Sequence, residues 1–134
     1  MTVFLASFLS SLLAMLAIDA VWLFTMSSRF YKPNLHHLLA EAPALFPAVL
    51  FYVIYAFGLT FLVTLPAVQA GQSVFKIFLL GALFGFVAYA TYDLTNQATL
   101  KNWPVIVSVV DMMWGAILTG VVSVISFLSA RYFS

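Results

Sequence analysis

Three aspartates, Asp19, Asp93 and Asp111, are the side chains best suited to chemistry in this sequence, and each lies in or at the edge of a long apolar run. A carboxylate at the centre of a bilayer costs about 2.5–3.5 kcal/mol on insertion scales, so such residues usually face a bundle interior and mark function. Two of them share a pattern. "AIDAVW" places Trp22 three residues after Asp19, and "VVDMMW" places Trp114 three residues after Asp111. On a helix, i,i+3 spacing puts acid and indole on one face. A remnant inverted repeat, as in some transporter folds, would produce this pair, and so would coincidence.

The acids need helices to hold them. The chain has 134 residues, 65% hydrophobic and 7% charged, with mean hydropathy +1.13. A soluble domain averages about 25% charged residues, so this chain could not cover a water-facing surface. A spanning helix needs roughly 20 apolar residues. Four such segments fit, near 3–26, 45–66, 75–95 and 104–128. The reading is all-α: an integral membrane four-helix bundle, one transmembrane domain over 1–134, with no room for a soluble domain. The formal charge of +1 leaves no basic patch for nucleic acid, and the absence of cysteine excludes disulfides, thiolate nucleophiles and thiolate-bound metals. The first segment lacks a basic n-region and is too long for a signal h-region, so it is expected to be retained.

Between the first two segments, "KPNLHHLLAEAP" predicts a short interfacial helix near 34–42, started by Pro33 and Asn34 and stopped by Pro43. His36 and His37 read as interfacial polar residues, and no metal site is expected, although His37 and Glu41 share i,i+4 spacing. Pro66 is expected to end the second segment. Gly81 and Gly85 form G-x-x-x-G, which allows close helix contact inside the bundle or between protomers. Asn102 is expected to cap the fourth segment, with Pro104 in its first turn.

Four spans put both termini on one side of the membrane. The other side, the loop face, carries the polar stretch at 91–104. Asp19 and Asp111 both fall about seven residues from that face, or about 10 Å deep at roughly 1.5 Å per residue. Tyr52, Tyr55 and Tyr89 match that depth, and Asp93 is shallower. Asp19 and Asp111 are therefore expected to face each other across one layer. Such a pair would share one proton, or be neutralised by Lys101 or Arg29, and would suit acid–base work or proton coupling. The loop face has Arg29, Lys32 and Lys101 and the terminal face Lys76, Arg131 and the amino terminus, so the positive-inside rule gives no usable bias.

The stretch "YDLTNQATLKNWP", with the aspartate of the first helix and "DMMWG" in the fourth, resembles a family of small bacterial inner-membrane proteins known as a four-helix domain of unknown function. The resemblance spans essentially the whole chain. It implies four spans, a bacterial source and the inner membrane, and it carries no activity, cofactor or catalytic residue.

Three functions compete on these residues. In the first, Asp19, Asp111 and Asp93 act as acid and base on an amphipathic lipid or isoprenoid-like molecule. Trp22, Tyr52, Tyr55, Tyr89, Tyr92 and Trp114 would wall it, and Asn96, Lys101 and Asn102 would recognise its polar head. In the second, the chain is a small transporter or proton-coupled carrier. In the third, the polar layer only holds the helices in register or meets a partner. H-E-x-x-H, G-x-S-x-G and the glycine-rich partner motif of intramembrane aspartyl proteases are absent. The first reading is preferred, with the bilayer and a bound lipid as partners. Four spans are few for a closed pocket, which leaves a homodimer as one expected assembly.

Overall fold

A computed structural model describes all 134 residues. Four helices, each long and apolar enough to cross a membrane, make up almost the whole chain: α1 Thr2–Leu35, α2 Leu45–Gln69, α3 Val74–Thr99 and α4 Val105–Tyr132. The bundle is apolar outside and partly polar inside. Phe24, Leu45, Phe46, Phe75 and Leu83 are among its exposed residues, while Ser7, Ser11, Thr60, Thr64, Thr119, Ser123 and Ser126 are buried with the three aspartates. Lipid tails are as apolar as leucine, so helix association in a bilayer leans on close packing and interhelical hydrogen bonds.

Both devices are present. α4 is the hub, packed along α3 and α1. A Cβ on Gly81 would meet Ser123 Oγ and the Thr119 carbonyl, and one on Gly85 would meet the Gly115 carbonyl and the Thr119 hydroxyl. The G-x-x-x-G pair therefore serves inside the bundle. In the half nearest the termini, the Ser7 and Ser126 hydroxyls are 2.7 Å apart, Ser126 reaches Thr64 at 3.2 Å, and Ser11 and Thr60 are 3.4 Å apart.

The boundaries differ from expectation in four places. No separate helix forms over 34–42. Instead α1 runs on through a π-helical turn, Ser27–Tyr31, in which the Lys32 N–H bonds the Ser27 carbonyl, and it ends at Leu35. Residues 36–44 are turn and irregular chain, with His37 and Glu41 both exposed. Nor does Pro66 end α2. A second π turn, Thr60–Thr64, precedes it, and the helix continues to Gln69. A proline inside a helix clashes with the carbonyl four residues back and leaves one unpaired. A local π turn is one adjustment by which membrane helices accommodate it. Both π turns stand two residues before a proline, Pro33 and Pro66.

The third difference concerns the polar stretch itself. α3 continues through it to Thr99. Thr91 Oγ1 donates to the Val87 carbonyl at 2.7 Å, Thr95 to Thr91 and Thr99 to Thr95 at 2.8 Å. This i,i+4 ladder satisfies the hydroxyls on the helix's own backbone, so polarity does not break the helix. Fourth, Asn102 makes no side-chain cap for α4. It takes the left-handed conformation, φ +57°, which asparagine tolerates better than other non-glycine residues. His37 Nε2 donates to its carbonyl at 3.2 Å. Asn102→Gly should be close to neutral, and Asn102→Val should cost about 1–2 kcal/mol, the penalty of the left-handed region for a branched residue. Thermal unfolding in detergent checks both.

The α2–α3 turn shows why these two helices are joined at one end only. Gly71 has φ +61°, its N–H bonds the Val68 carbonyl at 3.1 Å, and the Gln72 N–H bonds Ala67 at 3.0 Å. This is the Schellman closure of a helix. Ser73 then caps α3 by accepting from the Lys76 N–H at 3.2 Å. From that turn, α2 and α3 touch mainly near the π segment of α2 and pack little above it. A cleft opens between them toward the loop face.

Candidate functional site

Helix side chains lean toward the N-terminus of their own helix. α1 and α3 run toward the loop face, while α4 runs away from it. Asp19 therefore leans deeper into the bundle and Asp111 leans up toward the loop face, although their depths along the chain match. This small geometric fact separates the expected pair. Asp19 and Asp111 are both buried, 6% and 8% exposed, and act on each other electrostatically, but they bond different partners.

Asp19 accepts two hydrogen bonds, from Trp114 Nε1 at 3.0 Å and from the Tyr52 hydroxyl of α2. Asp111 accepts one from the Tyr31 hydroxyl, which in turn receives the Trp22 indole N–H at 3.0 Å. The same lean makes the indoles meet. Trp22 leans down, Trp114 leans up, and their rings stack at 4.1 Å with an interplanar angle of 7°. Each tryptophan of the Asp-x-x-Trp pair thus serves the other helix's aspartate, Trp114 directly and Trp22 through Tyr31.

Asp93 leans down from α3 to meet Asp111. It is completely buried, and neither carboxyl oxygen receives a bond from an N–H or O–H donor. Asp93 and Asp111 are neighbouring acids that act on each other electrostatically. A bond between two carboxyl groups exists only when one carries a proton. The neighbouring pair of acids expected of Asp19 and Asp111 is instead Asp93 and Asp111. Neither of the cations expected to neutralise it is present: the charges acting on the two acids are other aspartates, and Arg29 and Lys101 are exposed.

Asp111 opens onto a cavity of about 440 Å³ in the upper part of the α2–α3 cleft, walled by Phe51, Tyr55, Ala88, Tyr89 and Tyr92. Tyr55 is fixed by a 2.7 Å bond between its hydroxyl and Thr119. Tyr89 packs its ring against Gly115. Tyr92, 59% exposed, meets Trp103 edge to face at 6.1 Å. Trp103 Nε1 donates to Ser108 at 3.0 Å, and Ser108 donates to the Asp93 carbonyl at 3.4 Å. A second, wholly apolar groove of about 400 Å³ continues down the same cleft past Leu62, Leu80, Leu83, Phe84 and Val87, and Ala88 borders both.

Of the expected site residues, Asp111, Tyr55, Tyr89 and Tyr92 meet at this cavity. Asp19, Trp22, Tyr52 and Trp114 form the hydrogen-bonded and stacked cluster behind it. Asn96 stands half-buried one turn beyond Tyr92. Lys101 and Asn102 are exposed in the α3–α4 turn and do not line the cavity. Three residues escaped the sequence reading. Phe51 lies in an apolar run with no spacing to mark it. Trp103, whose indole braces the Asp93 backbone, lay in the polar stretch with no spacing to mark it. Tyr31 looked like an interface residue. On an unbroken α-helix it would sit about 120° round from Asp19, and one extra residue in the π turn rotates it back by about 100°.

Four apolar spans enclosing buried acids define an integral membrane protein with a polar interior. Residues 4–128 match the model of a family described as "Predicted membrane protein (DUF2177)", and the chain belongs to that family, whose function is unknown. No curated protein and no solved structure matches it.

Proposed function

We propose that the α2–α3 cleft binds an amphipathic lipid or isoprenoid-like molecule, with the tail in the apolar groove and the head beside Asp111. The observation that carries this is the adjacency of two cavities along one cleft. One is apolar throughout, the other is aromatic with one carboxyl, and they meet at Ala88. From Tyr92 to Leu80 the cleft follows about 18 Å of α3, more than half of a hydrocarbon core roughly 30 Å thick. Its long side opens sideways, where α2 and α3 part, so a molecule could enter from the bilayer. Asp93 and Asp111 would hold and move a proton at the head, and Asp19, bonded to Trp114 and Tyr52, would position the wall. The setting that goes with this reading is one transmembrane domain in a bacterial inner membrane, with both termini on one side.

Ala88→Trp tests it by placing a large side chain where both cavities share their wall. Native mass spectrometry of the wild type should show a copurified amphiphile that the variant has lost. A wild-type spectrum with no bound mass, even after incubation with membrane lipid, would end the proposal. A doubled protein mass that Ala88→Trp returns to one copy would assign the cleft to a homodimer instead.

A further inference from the structure

The chemistry of the upper cavity narrows the head group. Its walls are the faces and edges of Phe51, Tyr55, Tyr89 and Tyr92, and its one charged group is Asp111. Behind Asp111 lies Asp93, fully buried and bonded by no donor of the protein. Buried charge must be paired or neutralised, and the bundle supplies no cation to do it. Arg29, Lys32, Lys76, Lys101 and Arg131 are all exposed.

Resting on the cleft reading above, we propose that the head group seated beside Asp111 is a positively charged nitrogen, so that the site takes an organic cation carried on an apolar tail. A cation is drawn to aromatic faces by their quadrupole and to a carboxylate by charge. With one shared proton the Asp93–Asp111 pair carries a single negative charge, which one ammonium balances. A phosphate head finds the opposite: a carboxylate in its path, no lysine or arginine, and a Tyr55 hydroxyl already engaged with Thr119. A proton and the cation compete for the same carboxyls, so binding weakens as pH falls. The other titratable groups around the pair are Asp19 and Tyr31 from α1, Tyr55 from α2, which shares the cavity with Asp111, and Tyr89 and Tyr92 from α3. No charged group of α4 other than Asp111 joins them.

The test uses the full chain in nanodiscs of uncharged lipid and three probes with one dodecyl tail: dodecyltrimethylammonium, dodecanol and dodecyl phosphate. The ammonium should bind about tenfold more tightly than the alcohol, with the phosphate weakest. Asp111→Asn should erase that preference, Asp93→Asn, which leaves Asp111 as the single carboxylate at the cavity, should keep it, and Tyr92→Leu should cut it about threefold, the scale of one cation–π contact. The Trp22–Trp114 stack gives a near-ultraviolet dichroism signal that reports whether each variant is folded. Equal binding of all three probes, blocked by Ala88→Trp, would leave the cleft reading standing and overturn the cation. No binding above empty nanodiscs would overturn both. A cation preference unchanged in folded Asp111→Asn would overturn the assignment to the Asp111 carboxyl. Where Asp111→Asn loses the stack signal, Tyr92→Leu decides, and undiminished preference there overturns the proposal.

Discussion

Gly85→Val should lower the stability of the bundle by about 2–3 kcal/mol, the upper range for overpacking a tight interface. The reason lies in what the new side chain meets. A Cβ at Gly85 falls against the Gly115 carbonyl and the Thr119 side chain of α4. A carbonyl in the middle of a helix cannot swing aside, so α3 and α4 must separate. Separation also breaks the local order of the site, because Gly115 faces the Tyr89 ring and Thr119 holds the Tyr55 hydroxyl. Gly58→Ala is the matched control. Its nearest neighbour would be the Phe84 ring tip at 3.5 Å, an ordinary contact, and alanine is the better helix former. Thermal unfolding in detergent should show a large loss for Gly85→Val and none for Gly58→Ala. Equal behaviour of the two would mean that α3 and α4 do not meet at Gly85.

Asp19→Ala should cost about 2–4 kcal/mol, because it strands two donors and each unpaired group is worth about 1–3 kcal/mol. They are the half-buried Trp114 indole N–H and the half-buried Tyr52 hydroxyl. Asp19→Asn should cost much less, about 1 kcal/mol. Its amide oxygen still accepts from Trp114, and a tyrosine hydroxyl can turn to accept from the amide nitrogen. Loss of the acceptor should also loosen Trp114 from Trp22, so the near-ultraviolet signal of the stack should collapse in Asp19→Ala and survive in Asp19→Asn. A stable, spectrally native Asp19→Ala would show that neither donor depends on this carboxylate.

The fold was legible because hydropathy and length leave few options. Four runs of apolar residues separated by short polar turns can only be four spans, and the three acids had to lie inward. The places where the reading stopped short are local. Pro33 and Pro66 are strong stop signals, yet each is absorbed by a π turn, because a helix in lipid has no water to satisfy a broken backbone. The third span was expected to end near 95, yet threonines at i,i+4 bond their own helix and carry it to Thr99. Asn102 looked like a cap, yet its backbone conformation makes the turn while its side chain caps nothing.

The residues of the site divide the same way. Sequence alone determined that Asp19, Trp22, Asp111 and Trp114 lie inward at related depths, because helical period and distance from the span end depend only on position in the chain. Which acid meets which partner was decided by the tertiary structure. Antiparallel helices lean their side chains in opposite directions, so Asp111 rises to Asp93 and Tyr31 while Asp19 descends to Trp114 and Tyr52. The cleft itself depends on how far α2 and α3 diverge from their turn, and Tyr31 depends on one extra residue in a π turn. Both are set by packing between helices, which no spacing within a single helix encodes.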